Sequence, residues 1–412
     1  MTQFRHYDPE QDKEAAHRIW HEVGWLEKDK DKEAAMDTFV ACGRALVAEV
    51  AGEAECLVLS VPATLRYLED DLPFLAVTGV TVSRVARKQG LGGHLTAQLI
   101  AEGVADGAMA AGLSMFEQGF YDQLGLGTGG YEHWVSFDPA QLQLSYRHRV
   151  PRRITLADAE KVHASRLARL RRHGAANLLP PAVTQADMTW TKGGFGLGYF
   201  DGPDGELTHH VWVNDNEEEQ GPYDIVWMAY QTPEQFLELL ALIKSLGDQV
   251  RLVWMREPAG IQLQDFLIQP FRYRTLTDKS KYENRIKANA YWQLRICDLP
   301  GCLAKTHLCA EDLRFNLELT DPIERFLEAS MPWRGIGGTY VVTLGAASCA
   351  EQGHDPALPT LHASVNAFSR LWFGVRPATG LAITDQLSGP AELLHALDRV
   401  LRLPDPKYDW DF

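Results

Sequence analysis

The sequence predicts two α/β segments in succession, followed by an α+β segment. Three observations predict this. Residues 1–150 alternate helical and strand patterns. Residues 151–290 repeat the order strand, helix, strand. Residues 291–412 carry strands first and helical patterns after them. The chain has 412 residues, 45% hydrophobic and 23% charged. That is ordinary globular composition, and the length suits two to three domains.

In the first segment, helix patterns cover residues 11–23 and 34–42, and strand patterns cover 44–50 and 55–61. A β-branched strand at 77–83, a helix at 92–106 and a strand at 113–117 follow. The mixed-charge stretch 28–33 reads as a surface loop. In the second segment, strands are predicted near 209–213, 224–230 and 250–255. The helix between the last two starts at Thr232-Pro233-Glu234-Gln235. Thr232 is a good N-cap, Pro233 suits the first helical position, and Gln235 completes a capping box. The third segment has strands at 293–299, 313–320 and 339–344, then helical patterns over 359–373 and 390–401.

Several function classes fall away. The formal net charge is −15, and no basic stripe of the nucleic-acid-binding kind occurs. An acidic surface attracts cations, which suits an amine partner. The arginines of residues 166–172 read as the solvated face of a helix. The N-terminus has no apolar signal core and no run approaches a membrane span, so a cytoplasmic protein without membrane contact is expected. Cys297, Cys302 and Cys309 lack zinc-type spacing and read as small buried hydrophobes, so no metal is expected. Neither G-x-S-x-G nor H-E-x-x-H occurs, which leaves hydrolase chemistry without support.

The most informative stretch is the strand at 77–83 with the turn Arg87-Lys88-Gln89-Gly90-Leu91-Gly92-Gly93 that follows it. Arg87, Gly90 and Gly92 have the spacing R-x-x-G-x-G. Glycines there let backbone N–H groups approach an anion, and the helix behind them points its positive end at it. Arg87 and Lys88 add charge, giving a pyrophosphate cradle. The dinucleotide fingerprint G-x-G-x-x-G is absent, and no G-K-[ST] follows.

On these residues the loop resembles the coenzyme loop of the GCN5-related N-acetyltransferases (GNAT). Downstream, Glu117, Tyr121, Gly125 and Gly127 stand as E-x-x-x-Y-x-x-x-G-x-G. That segment resembles the enhanced-intracellular-survival (Eis) acetyltransferases, and the ending Trp410-Asp411-Phe412 is similar too. The basic loop is less arginine-rich than is typical of those relatives. The resemblance implies tandem GNAT-type domains, at 1–150 and 151–290, and a sterol-carrier-like domain at 291–412. The second domain reads as degenerate: Gln231-Thr232-Pro233-Glu234 stands where the phosphate turn belongs, Pro233 has no N–H to donate, and Glu234 repels phosphate. No coenzyme is expected there.

The resemblance further implies acetyl-CoA as co-substrate, a primary-amine acceptor (polyamine, aminoglycoside or lysine type) and a hexamer. The strand edge near Val80 and Val82 would hold the pantetheine and polarise the thioester carbonyl. Arg87, Lys88, Gln89, Gly90, Gly92 and Gly93 would hold the diphosphate. Tyr121 is the proton donor to the leaving thiolate, since a phenol's reference pKa of about 10 lies near a thiol's about 8.5. The terminal carboxylate of Phe412 is the implied base, working through water once burial raises its pKa. Asp411 offers a carboxylate for a cationic acceptor. Glu22 and Trp25, with His21 and Glu27, lie where GNAT folds border the acceptor. The competing reading is a non-catalytic acyl-CoA or lipid binder using the third domain, and acyl length is left open.

Overall fold

The computed structural model describes residues 2–115, 117–270 and 279–412. In chain order the first part comprises β1 (Thr2–His6), α1 (Pro9–Val23), α2 (Lys30–Ala41), β2 (Arg44–Val50), β3 (Glu53–Tyr67), β4 (Asp70–Val82), α3 (Leu91–Ala105), β5 (Ala110–Ser114) and β6 (Gly127–Thr128). The middle part comprises β7 (Glu132–Phe137), β8 (Arg152–Ile154), α4 (Ala159–Ala168), β9 (Ala176–Leu178), α5 (Pro181–Trp190), β10 (Gly194–Tyr199), β11 (His209–Asn214), β12 (Tyr223–Ala229), α6 (Pro233–Ser245), β13 (Val253–Arg256) and β14 (Arg285–Asn289). The last part comprises β15 (Trp292–Ile296), α7 (Leu299–Ala304), β16 (Leu313–Thr320), β17 (Gly338–Leu344), β18 (Cys349–Gln352), β19 (Thr360–Ser364), α8 (Val365–Trp372), α9 (Ala378–Thr384), β20 (Leu387–Ser388) and α10 (Ala391–Val400).

These strands form three sheets. The first has the order β1-β2-β3-β4-β5-β15-β6, with β9 beside β3. The second has the order β14-β7-β13-β12-β11-β10-β8, and the third β18-β17-β16-β19-β20. In the first sheet β4 and β5 are parallel, joined through α3, while β1 to β4 are antiparallel. The second sheet repeats this: β11 and β12 are antiparallel, β12 and β13 are parallel, and α6 joins them. The third is α+β, with β16 parallel to β19. The capping box of α6 forms as expected, Gln235 N donating to Thr232 Oγ1 while Gln235 Oε1 accepts from Thr232 N.

The sheets cross the boundaries expected from sequence. Strand β15, assigned to the third segment, pairs antiparallel with β5 and with β6. Strand β7, assigned to the first segment, pairs with β13 and β14 in the second sheet. A five-residue strand is completed by its ladder partners, and nothing in its own sequence names them. Residues 28–33 are also corrected, since α2 begins at Lys30. Asp29 caps it by accepting from Asp31 N and Lys32 N, and the first-turn acids suit the helix dipole. The pattern at 359–373 is two elements, β19 then α8, with Ser364 capping the helix. Strand β5 begins three residues before the expected 113–117, a range whose Phe116 lies outside the described residues.

The arginines at 166–172 form no single solvated face. Arg166 and Arg169 are buried, α4 ends at Ala168, and Arg166 lies 3.7 Å from the Trp410 ring. Burial succeeds because each is paired with a carboxylate, Arg166 with Asp187 and Arg169 with Asp409. Cys297 and Cys302 are buried, but Cys309 is exposed.

Candidate active site

Strand β4 builds one wall of the site. Gly79 sits at φ +63°, a left-handed conformation that glycine adopts without a Cβ clash. Beside it the register slips: Thr78 faces Leu59 and Thr81 faces Leu57, so Gly79 and Val80 together oppose one residue of β3. This is a β-bulge, which bends the strand and re-aims its groups. On the other side β4 pairs with β5 only from Phe74 to Val77. Beyond Val77 the two strands part, and the edge around Val80 and Val82 has no strand partner on that side among the described residues. A backbone N–H on this free edge can donate to a carbonyl entering the cleft.

The turn after β4 is held from below. Ser83 N donates to Glu55 O and Ala86 N to Ser83 O. Lys88 at φ +61° and Gly90 at φ +77° curl the chain into α3. Gly90 is the N-cap and offers no side-chain oxygen, so the first-turn amides of this 15-residue helix have no side-chain acceptor. A helix start of this kind leaves its first amide donors free for an acceptor from outside the helix. Arg87, Lys88 and Gln89 are exposed around it. A Cβ on Gly92 would touch Val80, Val82 and Phe120 at 3.5–3.6 Å. One on Gly93 would meet Phe326, from the turn after β16, at 3.3 Å. The residues predicted for the coenzyme therefore converge around one strand end and one helix start.

Tyr121 follows β5 on the opposite lip. It is 8% exposed and belongs to the core that includes Cys56, Leu95 and Leu124, with Val80, Val82 and Phe120 packed against it. Its hydroxyl is pushed above the usual phenol range, first by burial, then by Cys56 and Glu117. A phenol so placed keeps its proton at neutral pH, as a proton donor must.

The α1 side carries aromatic residues. Trp20 approaches the bulge, 3.5 Å from where a Gly79 Cβ would stand. Around it gather Trp25 at 5.7 Å, Trp190 at 5.7 Å and Phe39 at 6.3 Å between ring centroids. Of the predicted acceptor residues, Trp25 is in this group. Glu22 is differently employed: its carboxylate accepts from Arg84 N, and its carbonyl oxygen accepts from the Arg84 side chain. Glu22 thus fastens the turn to α1. Sequence reading missed Trp20, Phe39 and Trp190. Gly79, between β-branched residues, was the signal available for the bulge, but nothing local marks Trp190, which arrives on α5.

The C-terminal tail is docked. Tyr408 stacks on Trp292 at 4.9 Å and 8°. The Phe412 ring contacts Phe74 at 6.2 Å and Tyr408 at 5.1 Å. Phe74 lies five residues before Gly79, about 16 Å along an extended strand. Arg256 Nη2 donates to both oxygens of Asp411 at 2.6 Å, so this carboxylate takes part in docking the tail. Among the described residues no group of three or more His, Cys, Asp or Glu side chains could hold a metal ion, and no helix is long and apolar enough to cross a membrane.

No protein-family model matches the sequence, and no curated protein matches it. The fold does have solved counterparts. A probable N-acyltransferase from Enterococcus faecalis V583 superposes with a TM-score of 0.80 at 17% identity, covering 100% of both chains. A GCN5-related N-acetyltransferase from Anabaena variabilis gives 0.77 at 13% identity, again over 100% of both chains. Eis1 from Mycobacterium abscessus gives 0.74 at 16% identity over 100% of both chains. Across its whole length, this chain has the α/β fold of GCN5-related N-acetyltransferases, Eis1 among them.

Proposed function

We propose that this protein is an N-acetyltransferase that moves an acetyl group from acetyl-CoA to a primary amine. The observation that carries the reading is the cleft where β4 and β5 part, with an uncapped helix start at one end and Tyr121 on its lip. The coenzyme's diphosphate fits the turn Arg87–Gly93, where free amides and two cations converge. Its pantetheine amides fit the free edge of β4. A backbone N–H near Val80 or Val82 draws electron density from the thioester carbonyl. The amine nitrogen attacks that carbon, the N–C bond forms, the C–S bond breaks, and Tyr121 gives its proton to the departing sulfur.

The amine's proton is assigned to the Phe412 carboxylate through intervening water, on the resemblance and on the anchored ring. A cationic acceptor is supported by the net charge of −15 and by Trp25, the exposed ring of the cluster formed with the buried Trp20 and Phe39 and with Trp190, since an exposed indole face attracts cations. The test is thiol release from acetyl-CoA with polyamines, aminoglycosides and lysine peptides, the native C-terminus left free. Release that depends on one amine class identifies the acceptor. No release with any amine, from protein that binds acetyl-CoA, overturns the reading.

A further inference from the structure

The second sheet contains a cleft built like the first. Strands β12 and β13 pair only from Tyr223 to Ile225. On the other side of β12 the register slips between Trp212 and Val213, leaving Val226 bulged as Gly79–Val80 is in β4. Beyond Ile225 the strands part around a cavity of about 320 Å³ lined by Val226, Met228, Phe236 and Met255. Tyr408, Asp409 and Trp410 of the chain's own tail also line it, beside Arg166, Arg169 and Arg256. The first domain opens this cleft to solvent-borne ligand; the second lays a peptide across it.

The fastenings are specific. Arg256, at the end of β13, donates through Nη1 to Tyr408 O at 2.9 Å and through Nη2 to both oxygens of Asp411. Arg169 donates through Nε and Nη2 to the two oxygens of Asp409, at 3.0 and 2.6 Å. Between these acids the Trp410 ring is covered by Arg166, which also lies 4.1 Å from the ring of Trp227, next to the bulge. Tyr408 turns the other way, onto Trp292 of the first sheet. A bidentate pair, Arg169–Asp409, and a single Arg256 nitrogen spanning both Asp411 oxygens flank a buried ring, and together they fix both direction and register of a short peptide.

We propose that the parted strands of the second domain are the receptor for the C-terminal segment. Arg169 and Arg256 are then positioning residues that hold Phe412 beside the first domain. The docking stands on these contacts alone; its consequence for turnover rests on the function proposed above.

The experiment uses the full chain with its native C-terminus and measures how fast a carboxypeptidase releases Phe412, alongside kcat and KM for acetyl-CoA. Arg256→Gln and Arg169→Gln are expected to speed release at least tenfold and to lower kcat about tenfold, with KM for acetyl-CoA unchanged. Arg256→Lys is expected to recover part of both. Asp411→Asn, on a side chain 63% exposed, perturbs the same contact without disturbing the core, and is expected to speed release as well. Native release rates in all of these variants overturn the proposal. Faster release from a protein that acetylates no amine upholds the docking and removes the acetyltransferase reading instead.

Discussion

Arg295 and Asp321 form an ion pair that joins the first sheet to the third. Arg295 Nη2 lies 2.6 Å from Asp321 Oδ2, with both side chains almost fully buried. The same guanidinium donates to Leu124 O, in the turn that follows Tyr121. A Cβ on Gly125 would stand 2.7 Å from Arg295 Nη1, and Gly125 is also at φ +80°. The first glycine of the Tyr121 segment is thus a clearance for a buried arginine, and the Tyr121 turn is held where the first sheet meets the third.

Arg295→Ala leaves Asp321 without its buried cation. Breaking such a pair costs about 3–5 kcal/mol. Denaturant unfolding should show a loss of that size, and a variant within 1 kcal/mol of the parent would mean the pair is dispensable.

Tyr121→Phe removes the hydroxyl and keeps the ring packing against Phe120, 4.8 Å away between centroids. Loss of a general acid lowers rate by about 10²–10⁴-fold. Acetyl-CoA binding measured by calorimetry should be unchanged while turnover falls by that factor. Full turnover would take Tyr121 out of the chemistry.

Two glycines in the turn between β4 and α3 should answer differently to alanine. Gly90 needs a left-handed backbone at φ +77°, so Gly90→Ala should cost about 1–2 kcal/mol in urea unfolding. At Gly92 the added methyl would find ordinary contacts of 3.5–3.6 Å. Its variant should stay within about 0.5 kcal/mol of the parent. Equal losses at both positions would contradict the geometry.

Glu132 lies under the tail beside Arg256. Burial pushes its carboxyl up to about 7, outweighing the attraction of Arg256, and the charges of Asp411 and Asp409 push the same way while Lys407 opposes them. Between an ordinary carboxyl value near 4.5 and about 7, the folded protein holds a proton that the unfolded chain has released. Stability therefore falls as pH rises through that window and stays reduced above it. Glu132→Gln should flatten the dependence of melting temperature on pH between about 4.5 and 7. An unchanged slope would show that Glu132 carries no such proton.

The parts of the site that were legible in sequence are those with local chemistry. The strand-turn-helix of residues 77–106 announces itself through β-branched residues, two glycines at fixed spacing and a helical pattern, because φ, ψ and amide exposure are set within a few residues. The α6 capping box was legible by its own four residues. The aromatic wall was not, since Trp20, Phe39 and Trp190 come from three helices.

By itself the sequence determined the α/β repeat, the glycine turn between β4 and α3, and an acid-and-aromatic tail. Only the tertiary structure decided that β15 completes the first sheet, that Arg166 and Arg169 are buried against the tail and that Asp411 pairs with Arg256. Backbone conformation and capping are contests among near neighbours and leave a local signature. Ladder partners and buried ion pairs join residues far apart in the chain. Their stability comes from excluding water around both partners at once, which neither partner's own sequence records.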